Sequence, residues 1–503
     1  MNRSFLNYRG ILLGAGLFVL GILLPLGNSI PPKAQYMAAI TLLMAVWWIS
    51  EAIPIAATSI VPIVLFPVFK IMKTGDVTLS YGHHLVFLFL GGFIIAIAIE
   101  RCNLHKRIAL KIISIVGTNP RRIILGFMLA TAFLSMWISN TATAMMMLPI
   151  ALAIGKQFEG TFSKKEKNNF NLALMLAIAY SASIGGIGTL IGTPPNVVFT
   201  GILKSTFPDS PSVSFLQWML FALPLVIVFI PIGWYYLVTF ASPVVKRPLQ
   251  DNHNLLKTEI SKLGSFSRQE KYILVIFIMT GILWIFRGDI DLGFIRIPGW
   301  VSLIGLTGYI QDSTIAISMA IITFFVPDPG RDNGRLMNWD CARDIPWGIL
   351  LLFGGGFALA AGFQESGLTQ WLGNQLSVFH FLPIILIIAI ISTMTFLTTE
   401  FTSNTAMATT LLPIVASLAV AIKVNPLYLM LPATISSSTA FMLPVATPPN
   451  AIVFGSGFVR INEMVRIGFV MNLIGLILTI LLVYFHAGNI FPVNLHQFPA
   501  WAY

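Results

Sequence analysis

Two short strings in this chain carry oxygen-rich side chains, and each occurs twice. Ser139-Asn140-Thr141 returns as Ser403-Asn404-Thr405, and Thr193-Pro194-Pro195-Asn196 returns as Thr447-Pro448-Pro449-Asn450. Hydroxyl, carboxamide and carbonyl oxygens suit a hard cation, and free backbone N–H groups at the start of a half-helix suit a carboxylate. None of the four strings contains Lys, Arg, His, Asp or Glu. An anion held there would be bound by neutral dipoles and hydroxyls, with a cation supplying positive charge. Glu400, three residues before Ser403, is the exception nearby. It either takes part in the site or pairs locally to stiffen the backbone.

The segments that must position these strings are strongly apolar. The first Ser-Asn-Thr interrupts the run 123–154 and the second the run 381–422. The chain has 503 residues, 56% of them hydrophobic and 10% charged, with mean hydropathy +0.85. Many windows reach the ~20 apolar residues that cross a hydrocarbon core. The fold class expected is an all-α polytopic membrane protein. Irregular polar backbone at membrane depth survives only inside protein or facing a water-filled cavity, so matched interruptions in two halves point to a binding site between them. A lone Ser-Asn-Thr or Pro-Pro is more often a local hydrogen bond or a kink, but independent kinks would not recur in register.

The spacing shows the repeat. Phe93 and Phe357, each preceded by paired glycines, are 264 residues apart, and so are Ser139 and Ser403; the Thr-Pro-Pro-Asn strings are 254 apart. Spans are expected near 11–26, 36–50, 56–71, 84–99, 215–238, 272–286, 300–326, 345–364 and 465–485. At 1.5 Å per residue the run 123–154 would be about 48 Å as one helix, so it reads as a re-entrant hairpin with Ser-Asn-Thr at its tip. The run 172–203 reads as a span broken at Gly185-Gly186 and at 192–196, where Pro194 and Pro195 remove two donors. Residues 101–116, with Arg101, Lys106, Arg107 and Lys111 among Ile and Leu, read as an interfacial helix; 155–169 is a polar loop, and 242–271 a polar loop with a surface helix. Asn119 reads as a plain loop residue before Pro120.

The net charge of +11 points to loop orientation rather than nucleic acid. The first hairpin is flanked by Arg101, Lys106, Arg107, Lys111, Arg121, Arg122, Lys156, Lys164, Lys165 and Lys167, whereas 364–381 has no Lys or Arg. The positive-inside rule puts the first flank in the cytoplasm and the second outside, which makes an inverted repeat. Eleven spans plus two hairpins then place Lys246, Arg247, Arg331, Arg335, Arg460 and Arg466 inside, with a cytoplasmic N-terminus and an extracellular C-terminus in a cell-membrane protein. His83, His84 and His105 read as membrane-edge residues and the paired glycines as packing sites. Cys102 and Cys341 offer no metal pattern. No base or nucleophile is evident at membrane depth, which argues against an enzyme, and a channel would not need two matched breaks around one site.

With these motifs in place the chain resembles the divalent anion/sodium symporter family over nearly its whole length. The resemblance implies a secondary transporter of C4–C5 dicarboxylates such as succinate, malate, fumarate or 2-oxoglutarate. It implies a homodimer in lipid whose protomers have a scaffold and an elevator-type transport domain. Boundaries are expected at 1–118 (scaffold), 119–213 (transport), 214–380 (scaffold), 381–464 (transport) and 465–503 (final helix and tail). By that similarity Ser139, Asn140, Thr141, Ser403, Asn404 and Thr405 contact the substrate, with Thr193-Pro194 and Thr447-Pro448 opposite. One Na⁺ would be held by Ser135, Ser139, Asn140 and the Gly192 backbone. A second would be held by Thr399, Thr402, Ser403, Asn404 and the Ala446 backbone. The family also contains Na⁺-independent dicarboxylate exchangers, which these motifs do not separate from symporters.

Overall fold

The computed structural model describes residues 3–24, 30–117, 119–157, 163–246, 260–291, 296–330, 334–376, 378, 381–491 and 497–502. Arg247, Arg331 and most of the surface helix expected within 242–271 lie outside the described residues. The chain is helical almost throughout. Among the described residues the departure from an all-α fold is a ribbon pairing Ile290–Asp291 with Arg296–Ile297, and one isolated bridge between Pro327 and Arg335. Thr74–Arg101, Lys164–Ile187, Phe215–Ala241, Trp347–Ser366, Asn404–Ala421 and Ile461–Ile490 are each long and apolar enough to cross a hydrocarbon core.

The repeat is visible element by element. In the first half a helix, His84–Arg101, is followed by an amphipathic helix, Leu104–Val116, and by two hairpin arms, Pro120–Ser135 and Asn140–Gln157. A helix, Lys164–Ile187, then breaks before a half-helix, Pro194–Thr206, and the long helix Phe215–Tyr236 closes the set. The second half runs through Trp347–Ser366, Leu368–Leu376, Ile384–Thr399, Asn404–Ala421, Pro426–Ser437, Pro448–Phe454 and Ile461–Ile490 in the same order.

Local chemistry sets these boundaries. Asn119 is no plain loop residue: its side chain accepts from the Arg121 N–H at 3.0 Å, with Pro120 at the first helical position, which is a helix start. Capping boxes start Lys164–Ile187 at Ser163 with Glu166, and Phe215–Tyr236 at Ser214 with Gln217. On Leu104–Val116, Leu104, Ala109, Leu110 and Ile113 are buried while Lys106 and Lys111 stay exposed. Arg107 on that helix clasps Glu270 at 2.7 Å and the carbonyls of Leu263, Gly264 and Ser265. His105 is buried, not at an open edge, with Nδ1 3.3 Å from the Ile99 carbonyl.

Glycines let helices approach closely. A Cβ on Gly91 would lie 2.6 Å from the Ala316 backbone, and one on Gly355 would run into Ser59. The span expected at 56–71 divides into Ile55–Ser59 and Val61–Val68, with Pro62 restarting the helix. The span expected at 300–326 is two pieces, Trp300–Leu303 and Asp312–Thr323, because Gly305 and Gly308 take positive φ between them. Gly185 and Gly186, expected to break their helix, remain helical and bring it against Ala132 and Asn140. The polar loop expected at 155–169 is shorter, since helices reach Gln157 and restart at Lys164.

Candidate functional site

Each Ser-Asn-Thr sits where a hairpin turns. The arm Pro120–Ser135 ends, residues 136–139 make the tip, and Asn140 opens the return arm. The second tip, 400–403, lies between Ile384–Thr399 and Asn404–Ala421. Ser139, Asn140, Thr141, Ser403 and Asn404 are half-buried and Thr405 is buried. Ser139 Oγ accepts from the Ala142 N–H at 3.3 Å. Thr193 and Thr447 stand at the N-caps of the post-break half-helices, with Pro194 and Pro448 as their first residues. Thr447 Oγ1 accepts from the Asn450 N–H.

The two halves interlock at these strings. The arm Asn140–Gln157 packs against the half-helix Pro448–Phe454 of the other half, and the arm Asn404–Ala421 packs against Pro194–Thr206. Each Ser-Asn-Thr therefore opens an arm that packs on the half-helix opened by the other half's Thr-Pro.

Oxygens converge beside each tip asparagine. In the first half the end of the Asn140 amide meets Ser135 Oγ at 2.6 Å, the Ala182 carbonyl at 3.1 Å and the Gly192 carbonyl at 3.2 Å. With its nitrogen inward the amide donates to all three; with its oxygen inward, four oxygens share one hydroxyl proton. The nitrogen-inward amide satisfies the contacts as they stand; the oxygen-inward one is what a hard cation among these oxygens would require. In the second half Thr399 Oγ1 lies 2.8 Å from Asn404 Oδ1 and 2.9 Å from the Ser437 carbonyl, again with one proton between three oxygens. Thr402 donates its hydroxyl proton to the Thr398 carbonyl at 3.2 Å. Ala446 is buried in the second break, at the place Gly192 takes in the first.

Glu400 is fully committed. Its carboxylate accepts from the N–H groups of Phe441 at 2.8 Å, Met442 at 3.0 Å and Leu443 at 3.1 Å, and from Asn472 Nδ2 at 2.7 Å. It is 1% exposed. It therefore braces the second break, through partners distant in the chain rather than the local ones expected.

A profile of the sodium:sulfate symporter transmembrane region matches residues 8–490. The chain belongs to that family. It is 43% identical over 493 residues to the sodium-dependent dicarboxylate transporter SdcS of Staphylococcus saprophyticus, covering 97% of this chain and 93% of that one. It is 44% identical to SdcS of Staphylococcus aureus, covering 97% and 92%. Among solved structures it resembles Neisseria gonorrhoeae MtrF, titled an antimetabolite efflux pump, with TM-score 0.57 and 12% identity over 91% of this chain and 96% of that one. It also resembles the Alcanivorax borkumensis YdaH transporter, with TM-score 0.56 and 13% identity over 90% and 98%. At such identities these two show likeness of fold alone, a polytopic membrane fold.

Ala182 and Ser437, not among the expected site residues, enter the clusters through their carbonyls, and Asn196 and Asn450 donate to carbonyls at the breaks. Carbonyls carry no residue-type signal. The two asparagines stood in the quoted strings, and their repetition was the signal that could have found them.

Proposed function

We propose that this protein is a Na⁺-coupled secondary transporter of C4–C5 dicarboxylates, with one carboxylate of the substrate held at each Ser-Asn-Thr tip. The observation that carries this reading is the pair of oxygen clusters that converge on a tip asparagine, Ser135, Ala182 and Gly192 around the Asn140 amide and Thr399 and Ser437 beside Asn404. Na⁺ in each cluster would supply the positive charge that the neutral tips lack. Asn140, Thr141, Asn404 and Thr405 would then donate to the carboxylates, facing the half-helix N-termini at Thr193-Pro194 and Thr447-Pro448. The names of the SdcS relatives support both the substrate class and the ion.

The mobile unit is the pair of hairpins with the two broken helices, moving as an elevator against the remaining helices in a homodimer. Phe215–Ala241, expected in the scaffold, and Ile461–Ile490, expected as a separate final helix, are assigned to it instead, because these pack on each other and on Lys164–Ile187, Pro426–Ser437 and the hairpin arms. The N-terminus is assigned to the cytoplasm and the C-terminus to the outside on the Lys/Arg asymmetry. Uptake of labelled succinate into proteoliposomes tests the coupling. It should rise with an inward Na⁺ gradient and proceed without internal dicarboxylate. Uptake that ignores Na⁺ and requires internal dicarboxylate would replace the symporter with an exchanger.

A further inference from the structure

The asparagine that ends each Thr-Pro-Pro-Asn string donates its hydrogen bonds to carbonyls outside the oxygen clusters, and both copies do the same thing. Asn196 is fully buried, and its Nδ2 donates to the Gly186 carbonyl at 3.1 Å and the Thr189 carbonyl at 2.7 Å. Asn450, 254 residues later, is equally buried and donates to Ala440 at 3.1 Å and Leu443 at 3.0 Å. Those acceptors are themselves 254 residues apart, so the two amides make the same pair of bonds in each half.

The last carbonyls of a broken helix have no partner within it and are costly to bury unmatched. One carboxamide, with two N–H groups on one nitrogen, can satisfy two such carbonyls at once, and here it ties the half-helix that follows the break to the chain that enters it. It thereby fixes their separation. In the first half Gly186 lies four residues after Ala182, and Thr189 lies three before Gly192. Ala182 and Gly192 are the two carbonyls of the first oxygen cluster. In the second half Ala440 lies three residues after Ser437, and Leu443 three before Ala446. Asn196 also bears on the tip itself. It holds the carbonyl of Gly186, and Gly186 is the floor under Asn140: a Cβ there would come within 2.5 Å of the Asn140 amide oxygen.

We propose that Asn196 and Asn450 are a matched pair of positioning residues. Each staples a helix break at the spacing that makes its carbonyls a cation cage, and neither touches ion or substrate. The proposal rests on the Na⁺-coupled reading given above. It separates two roles within one string: Thr193 and Thr447 start the half-helices, whereas the asparagines set ion affinity from behind.

The test is Asn196→Ser and Asn450→Ser, each of which keeps one short donor, alongside Asn196→Asp, which keeps the shape and removes both. Uptake into proteoliposomes is measured over a range of Na⁺ at saturating succinate, then over a range of succinate at saturating Na⁺. Each variant should raise the Na⁺ concentration for half-maximal uptake about tenfold, the equivalent of one lost buried hydrogen bond. Maximal uptake and the succinate KM at saturating Na⁺ should stay within about threefold of wild type. Folded variants with an unchanged Na⁺ requirement overturn the proposal. So does failure of both Ser variants to yield folded protein, which would make the asparagines folding residues. A wild type indifferent to Na⁺ instead overturns the coupling reading, and is recognised before any variant is made.

Discussion

The two helix breaks share an asparagine staple, yet their remaining partners are of opposite polarity. In the first, the break and its neighbours offer carbonyls, and neutral donors satisfy them. Trp218 Nε1 donates to Ile187 at 2.9 Å, and Thr189 donates its hydroxyl proton to Met136. In the second, the break offers three successive N–H groups, and an anion satisfies them. Glu400 stands 264 residues after Met136, and its supporting Asn472 stands 254 after Trp218. The same two places in the architecture thus hold Met and Trp in one half and Glu and Asn in the other. A repeated backbone does not impose repeated electrostatics. What is shared is the requirement that each exposed peptide group find a partner, and each half meets it with whatever polarity its own break presents.

The largest effect is expected from forcing the halves to agree. Glu400→Met, which copies the first half, leaves the N–H groups of residues 441–443 and the Asn472 amide without an acceptor. At about 1–3 kcal/mol for each unsatisfied group, the loss is comparable to a whole domain's stability. Little folded protein should survive size-exclusion chromatography in detergent, and Glu400→Gln should melt between Met and wild type. A Glu400→Met protein that melts like wild type would mean that the contrast between the breaks is incidental.

Next come the tips, where the halves are expected to behave alike. Asn140→Ala and Asn404→Ala should each weaken succinate-induced thermal stabilisation by about ten- to a hundredfold in concentration, since each removes a charge-assisted bond of about 1.5–3 kcal/mol. The double variant should lose less than the sum, because a substrate released at one end gains little from the other. Intact binding in either folded single variant would confine the site to one half.

The amphipathic helices Leu104–Val116 and Leu368–Leu376 are compared through pH. His105 on Leu104–Val116 has its pKa pushed down to about 4, by burial first and the Lys106 charge last, against an opposing hydrogen bond to Ile99. The corresponding residue 264 places on is Thr369, which does not titrate. The unfolded chain takes up a proton near pH 6.5 and the folded chain only near pH 4. Stability from this group should therefore rise with pH across that window, with the loss complete below it. Melting temperatures between pH 4 and 7 should show a flatter slope in His105→Thr. An unchanged slope would remove His105 as the difference between the two amphipathic helices.

The smallest effect is at the hairpin roots. Asn119 caps the first, and Pro383 at the same place in the second has no side-chain bond to give. Asn119→Ala should cost about 1 kcal/mol, read as a small drop in melting temperature. A neutral result would make the two roots equivalent.

Much of the site was legible because it is written twice. Ser-Asn-Thr and Thr-Pro-Pro-Asn declare themselves by recurrence, and run lengths that no single crossing can use declare the hairpins. Span 300–326 was misread because its apolar composition hides Gly305 and Gly308, whose positive φ ends the helix. Gly185-Gly186 was misread in the opposite sense, since glycine marks close packing as readily as a break. Glu400 could not be resolved in sequence, because the groups that hold it are 41 to 72 residues away.

The constant offsets have a practical consequence for engineering. A chain that contains a second version of its own site supplies a ready catalogue of exchanges already accommodated by the same architecture. Ser135 and Thr399 are one such pair, Gly186 and Ala440 another, and Gly192 and Ala446 a third. Trading residues between copies, one position at a time, gives a compact library in which every member places a native residue in a native-like setting. Hybrids of that kind could tune one ion cage while the other serves as the internal reference.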